Sequence, residues 1–476
     1  MEGWQKKGLK QLGVYEYLAV YAWHATLPSK SKGGDLNFLA TSLPDYYRRG
    51  VRYYTGEADP GWGACGLGYY VASRILWNLK DAEHVDEIVD DFTAKAFGEA
   101  KEPMAQFYKE IDASETIIGN PEFFLLKAKK MYEHLRQAKA LAVKEDVHQR
   151  INALIGYTHY VELRNWASLI TNDVQKLIAL ERRDNLSYRV EKNSGLLAWL
   201  KPSSKDALIT PFTEQEIADI LSGKMDKDLR DQAEAIFPLL NLELPTFSKN
   251  LVPATALKLA AVQPGKILYQ NLDPLSYYAW LPENENQMTI KVGARINNTG
   301  KPRSVQFFSC QSQREKLVDT QYVDVPQESG VVPAEEKYNV ILKSPYSGLH
   351  RIEVSSGPGI TWDEGTKIVL NPKVRSWLGT QSAYVYVPKG TKYFAGVSGT
   401  QGSIVDSDGE VRFTKRAAQT DAAYFIVPVK EGQDGKLWLF KNFGANQWVP
   451  ITVPFYYCRS EKELLIPEEV LRADIK

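Results

Sequence analysis

The order of strand-like and helix-like segments restricts the folds that this chain can adopt more than any other feature of its sequence. The two patterns alternate only within about the first 80 residues, where LGVYEYLAVY (12–21) and VRYYTGEA (51–58) are typical of strands and LNFLATSLPDYYRRG (36–50) of a helix. A strand–helix–strand order predicts parallel strands, as in an open α/β sheet or a (β/α)8 barrel. Two strands are far fewer than a barrel of about 250 residues requires.

The rest of the chain divides into a helical part and a strand-rich part. Apolar residues recur at helical spacing up to about residue 245, with a capping box formed by Thr213 and Glu216. From about residue 250, short β-branched and aromatic runs are separated by turn residues, which is typical of antiparallel β-sandwiches. We therefore predict a multidomain α+β protein with an α-helical domain and one or two jelly-roll-like β-sandwiches. The predicted domains are 1–82, 83–245, 250–376 and 377–476.

Composition and missing motifs exclude several function classes. The chain has 58 Lys plus Arg and 58 Asp plus Glu, so no net charge attracts it to nucleic acid. Its three cysteines lie far apart and not at zinc-ligand spacing, so we expect neither a disulfide framework nor a metal site. No apolar run reaches the roughly 18–20 residues of a membrane span, and the opening residues lack the uninterrupted apolar core and the small-residue cleavage site that are typical of a signal peptide. Phosphate-loop, dinucleotide and nucleophile-elbow motifs are absent as well, and we expect no cofactor.

The chemistry that remains is that of carboxylates among aromatic residues. Glu16 and Glu57 end the two predicted strands, where the loops of a parallel barrel form its open face. Glycoside hydrolysis uses two carboxyl groups, one as proton donor and one as nucleophile or base. We therefore predict that Glu57 and Glu16 are catalytic. Aromatic rings stack on the apolar faces of sugars. The predicted substrate-binding residues are Trp62, Tyr54, Asp59, Trp23 and His24.

Structural roles are the alternative interpretation of the same residues. A glutamate at the end of a strand often forms a salt bridge, and Arg52 and Arg74 are available as partners of Glu57. Trp77 ends an amphipathic helical pattern, and we expect it to pack in the core. Residue types and spacing alone do not decide between these roles.

Three segments carry a resemblance to a known family. GWGACGLGYYVASRILWN (61–78), HVDEIVDDFTAKAFG (84–98) and EPMAQFYKEID (102–112) resemble the DUF4838 proteins of carbohydrate-degrading bacteria, which are similar to glycoside hydrolases. The resemblance covers about residues 10–170. It implies that residues 1–82 are the last strands and helices of a (β/α)8 barrel and that the C-terminal tail is an accompanying β-sandwich. The loop before Trp62 departs from the family pattern, because it reads Ala58-Asp59-Pro60-Gly61 where the family pattern is Glu-Ser-Asn-Trp.

The resemblance implies a function and an origin. We expect Met1 to be an internal methionine of a longer exported enzyme, periplasmic or extracellular, that degrades polysaccharide. The predicted function is the C-terminal portion of a glycoside hydrolase that works by carboxylate acid/base chemistry on a carbohydrate and is inactive by itself. The alternative is a non-catalytic protein whose β-sandwiches bind carbohydrate through exposed aromatic residues such as Trp438 and Trp448, or act as spacers. The sugar, the linkage and the oligomeric state stay open.

Overall fold

The protein is an α+β molecule with two compact units, Met1–Asn241 and Leu242–Lys476. Helices dominate the first unit and antiparallel sheets the second, which confirms the mixed α+β class. In the part of the chain that the structure describes, no helix has both the length and the apolar character of a membrane span. The computed structural model describes residues 7–9, 11–18, 32–58, 62–112, 121–190, 212–265, 270–271, 275–293, 303–311, 315–323, 337–354, 357–358, 360–371, 381–398, 401–416, 424–443 and 448–476.

The first unit contains a two-stranded parallel sheet and a set of helices. The strands β1 (Leu12–Tyr17) and β2 (Val51–Glu57) pair in parallel, and helix α1 (Leu36–Arg48) connects them. This is the strand–helix–strand order predicted from the sequence. The later helices are α2 (Trp62–Trp77), α3 (Val85–Phe97), α4 (Lys101–Ile111), α5 (Pro121–Leu141), α6 (Glu145–Leu169), α7 (Asp173–Val190), α8 (Glu214–Leu221) and α9 (Lys227–Ile236).

One hydrophobic core runs through the described residues of the first unit. It joins Leu39 of α1 and Val71 and Ile75 of α2 to side chains of the later helices, such as Met131 and Ile155. All five side chains are fully buried. The strand–helix segment before residue 82 and the helices after it therefore share one core. The four-domain division remains a prediction.

The second unit is built from antiparallel sheets. The elements are β3 (Leu251–Pro253), β4 (Gln270–Asn271), β5 (Leu275–Leu281), β6 (Gln287–Gly293), β7 (Arg303–Ser309), β8 (Lys316–Val323), β9 (Lys337–Lys343), β10 (Gly348–Val354), β11 (Gly357–Pro358), β12 (Ile360–Thr361), β13 (Ile368–Asn371), β14 (Gln381–Val387), β15 (Tyr393–Val397), β16 (Gly402–Val405), β17 (Val411–Lys415), β18 (Tyr424–Pro428), β19 (Lys436–Phe443), β20 (Val449–Pro450), β21 (Leu465–Pro467) and α10 (Glu468–Asp474). The larger sheets have the strand orders β13-β5-β10-β7-β8, β12-β6-β9, β14-β19-β16-β17 and β18-β15-β20, and their inner faces contribute to one large hydrophobic core. This arrangement is consistent with the predicted β-sandwiches.

The solvent exposure of three tryptophans differs from what the sequence predicts. Trp438 and Trp448 are 0% and 1% exposed, because their rings pack with Phe394 and Phe440 in the core of the second unit. The prediction that they are exposed sugar-binding residues is wrong. Trp77 is 92% exposed at the end of α2, so the prediction that it packs in the core is also wrong.

Candidate functional site

The parallel pairing of β1 and β2 determines where the two predicted catalytic carboxylates point. Glu16 lies opposite Gly56 in the ladder, and Tyr17 lies opposite Glu57. Because side chains alternate between the two faces of a strand, Glu16 and Glu57 project from opposite faces of this sheet. The ends of the strands bring the two residues close in the backbone, but their carboxyl groups do not meet.

The face that carries Glu16 is turned toward the helices. Glu16 is 6% exposed, and both of its carboxylate oxygens have partners. The Lys32 ammonium lies 2.5 Å from Oε1, and the Tyr46 hydroxyl of α1 donates to Oε2 at 2.8 Å. Burial and the bond to Glu16 raise the pKa of Tyr46 well above its usual value, so Tyr46 remains a proton donor. Glu16 is thus held in a structural network.

Tyr54 lies on the same face as Glu16. Its hydroxyl is buried and has no hydrogen-bond partner among the described residues. Burial, followed by the negative charge of Glu16, raises the pKa of Tyr54 to about 12. A buried hydroxyl without a partner is unusual, because leaving it unpaired costs about 1–3 kcal/mol. The prediction that Tyr54 binds substrate is not tested by this geometry.

The opposite face of the sheet is exposed and rich in tyrosine. Tyr15, Tyr17 and Tyr53 are 61%, 59% and 63% exposed. The Tyr15 hydroxyl donates to Glu57 Oε2 at 2.5 Å, and this hydrogen bond raises the pKa of Tyr15. The Tyr53 hydroxyl donates to Gln11 Oε1 at 2.9 Å. We call this surface the tyrosine face; the residues that the register places on it are Gly13, Tyr15, Tyr17, Tyr53, Thr55 and Glu57.

A contact between two glycines supports this end of the sheet. The turn Lys32–Gly34 carries Lys32, the partner of Glu16, and the Gly33 amide donates to the Leu18 carbonyl at 2.7 Å. The Gly33 carbonyl oxygen lies against Gly68 of α2, so closely that a β-carbon at Gly68 would overlap it. Glycine is therefore required at residue 68, and the contact anchors the turn to α2.

The other predicted residues are only partly within the described structure. Trp62 is the first residue of α2, and its side chain lies outside the described residues. Trp23, His24 and Asp59 also lie outside them. The two arginines considered as partners of Glu57 bind elsewhere: Arg52 donates to the Tyr47 carbonyl, and Arg74 pairs with Asp81 and Asp91.

The sequence analysis did not select Tyr15, Tyr17 and Tyr53 as candidate site residues. The signal was available, because residues 15 and 17 are two apart in a strand and so share a face. Among the residues that the structure describes, no group of three or more histidine, cysteine, aspartate or glutamate side chains could hold a metal ion.

Comparisons with known proteins give no close relative. No family model matches the chain. The mouse Nuclear protein MDM1 is 24% identical over 193 residues, which is 39% of this chain and 27% of that protein. Among solved structures, a family GH115 4-O-methyl-α-glucuronidase with specificity for decorated arabinogalactans has a TM-score of 0.28 and 11% identity, covering 75% of this chain and 51% of its own.

A tryptic core variant of Cry1Da from Bacillus thuringiensis has a TM-score of 0.15 and 12% identity, and it covers 92% of this chain and 99% of its own. The chain thus spans about half of the glucuronidase and about a quarter of the mouse protein. Neither TM-score is high enough to carry an argument about function.

Proposed function

We propose that this chain is the C-terminal portion of a glycoside hydrolase-like enzyme and that its tyrosine face binds the polysaccharide substrate. The observation that carries the proposal is the presence of three exposed tyrosines and Glu57 on one face of a parallel sheet. Tyrosine rings offer flat apolar surfaces for sugar rings, and their hydroxyls offer hydrogen bonds to sugar hydroxyls. A periplasmic or extracellular location belongs to the same proposal.

The residue types of the tyrosine face favour a sugar over a protein as ligand. Its six residues are glycine, tyrosine, threonine and glutamate, and no aliphatic side chain is among them. The centres of protein interfaces usually contain well-packed apolar side chains besides aromatic ones. A surface of aromatic rings edged by hydroxyl and carboxylate groups suits a ligand with apolar faces and polar edges.

The side on which the helices pack supports the barrel part of the proposal. Tyr46 of α1 binds Glu16, and Tyr54 packs against the core of the first unit. The helices thus cover the face of Glu16 and leave the tyrosine face open. In a (β/α)8 barrel the helices form the outer ring and the other face of each strand points inward. The end of the tyrosine face that carries Tyr17 and Glu57 would then lie at the mouth of the parent barrel, where the loops bind substrate.

The residues divide into two roles under this proposal. Glu57 contacts the sugar directly as a carboxylate held by Tyr15. Glu16 is a positioning residue, because Lys32 and Tyr46 occupy its carboxylate on the other face. Trp62, Asp59, Trp23 and His24 remain proposed sugar ligands.

Replacing all three tyrosines of the tyrosine face with alanine should weaken glycan binding at least tenfold. Each ring is expected to contribute about 0.5–1.5 kcal/mol by stacking, and a factor of ten corresponds to about 1.4 kcal/mol. Titration calorimetry with soluble β-1,4-linked hexasaccharides measures the effect on the full chain. The melting temperature should change little, because these side chains are exposed.

A matched control is Tyr322→Ala, since Tyr322 is a strand tyrosine of the second unit and is 49% exposed. This variant should bind like the unmodified chain. If the triple variant retained full affinity while Tyr322→Ala lost it, the ligand surface would lie in the second unit and the proposal would be wrong.

The purified chain should not hydrolyse aryl glycosides. Both carboxyl groups of a glycosidase must flank one glycosidic bond, about 5–10 Å apart. Glu16 cannot supply the second group, because it faces away from Glu57 and is bound to Lys32 and Tyr46. Release of 4-nitrophenol from a panel of 4-nitrophenyl glycosides should equal that of Glu57→Gln. Turnover that disappears in Glu57→Gln would show that Glu57 works with another carboxylate of this chain.

A further inference from the structure

We infer that the tyrosine face selects glycans without acidic groups, that is, neutral sugars or amino sugars and not uronates. This inference rests on the proposed function and names the substrate class of the same site. Among the six residues of the face, Glu57 is the only charged one. A site built for an acidic sugar would be expected to present arginine or lysine to its carboxylate.

The cation at this end of the sheet is not available to a ligand on the tyrosine face. Lys32 is bound to Glu16, and its ammonium lies 5.4 Å from the centre of the Phe38 ring of α1. Both contacts hold Lys32 on the helix-covered side. Arg52, which lies in β2 itself, is likewise turned to that side, where its guanidinium stacks on Tyr47 at 4.1 Å. Lys32 and Arg52 thus both lie on the side opposite the ligand surface.

The hydrogen bond from Tyr15 determines what Glu57 offers to a ligand. Tyr15 donates to Oε2, and Oε1 has no hydrogen-bond partner among the described residues. Oε1 can accept a hydrogen bond from a sugar hydroxyl or from an ammonium group. A uronate stacked on Tyr15 or Tyr17 would instead bring a second negative charge toward Glu57. The two negative charges would repel each other. Among the described residues of the tyrosine face, no positively charged side chain offsets this repulsion.

Three hexasaccharides with the same β-1,4 linkage and different charge test the inference on the full chain. They are the neutral glucose hexamer, the cationic glucosamine hexamer and the anionic glucuronate hexamer, each titrated at pH 6 and low ionic strength. We expect the neutral or the cationic hexamer to bind at least tenfold more tightly than the anionic one. Equal or tighter binding of the glucuronate hexamer would overturn the inference and leave the proposed function standing. Binding of none of the three would count against the proposed function itself.

The variant Glu57→Gln isolates the charge. Its amide oxygen can still accept the Tyr15 hydrogen bond, so the shape of the face is kept while the negative charge is removed. The affinity for the glucuronate hexamer should rise about tenfold relative to the neutral hexamer. Glu87→Gln removes one charge from an exposed position of α3 and should leave the ratio unchanged. An unchanged ratio in Glu57→Gln would show that Glu57 does not select for charge.

Discussion

Replacing Gly68 with alanine is expected to destabilise the first unit by about 2 kcal/mol or more, a lowering of the melting temperature by about 5 °C. In most helices this change stabilises by up to about 1 kcal/mol, because alanine is the better helix former. Here the added methyl group would overlap the Gly33 carbonyl oxygen, which is backbone and cannot rotate away. The turn Lys32–Gly34 would have to move away from α2, and Lys32 would leave Glu16.

The same helix supplies the control for this variant. A β-carbon at Gly63 would lie 3.7 Å from Cδ2 of Leu154, an ordinary van der Waals distance. Gly63→Ala should therefore be neutral or slightly stabilising in a thermal melt followed by circular dichroism. Equal melting temperatures for the two variants would mean that Gly68 of α2 is not in tight contact with the turn Lys32–Gly34.

Removing the buried histidine of α6 is expected to lower the free energy of unfolding by about 3–5 kcal/mol, the usual result of breaking a buried ion pair. His159 is fully buried, with Nε2 2.9 Å from Asp226 and Nδ1 3.4 Å from Glu162. Arg182 binds Asp226 at 2.7 Å, Arg230 lies 3.7 Å from Glu162, and the Tyr132 hydroxyl donates to Glu162 at 2.9 Å. His159→Leu would remove a positive charge that neighbours both the Asp226 and the Glu162 carboxylates.

The contribution of His159 to stability should depend on pH. Burial by itself would lower its pKa, but the hydrogen bonds to Asp226 and Glu162 and their negative charges outweigh this and raise the pKa above its usual 6.5. The folded protein therefore keeps a proton that the unfolded chain loses. The stabilisation is complete below about pH 6.5 and decreases as the pH rises through the folded-state value.

Urea denaturation at pH 6 and pH 9 measures both effects. The difference between the unmodified protein and His159→Leu should be larger at pH 6 than at pH 9. His148→Leu is the matched control, since His148 is on the same helix and only half-buried. If the two variants lost equal stability at both values, the carboxylates would not depend on a charged histidine.

Much of the backbone could be predicted from local patterns, because those patterns act through neighbours in the sequence. The helix predicted at 36–50 is α1, the two parallel strands are β1 and β2, and the capping box of Thr213 and Glu216 opens α8. The candidate site could be predicted only in part. Glu16 and Glu57 each end a strand, but the register that separates their side chains is set by pairing across 40 residues of chain.

The wrong prediction that Trp438 is exposed has a similar explanation. The alternation of residue types around Trp438 is the same whether its face of the strand is buried or exposed. Only the packing of a second sheet determines whether that face is buried. Its ring is enclosed by Phe394 of β15, and its indole nitrogen donates to the Gln433 carbonyl at 2.9 Å. Both contacts come from outside its own strand. Sequence patterns identify a face, but a distant segment determines whether that face is covered.

The described residues of the first unit share a single core, so we expect them to fold cooperatively. Val71 and Ile75 of α2 pack in the same cluster as Met131 and Ile155 of the later helices. A chain cut near residue 82 would give two pieces that each expose part of this buried surface, and we expect neither piece to fold by itself. A cut after Asn241 separates two units that each keep their own core. For expression of parts of this protein, residues 1–241 are therefore the piece that keeps this core intact.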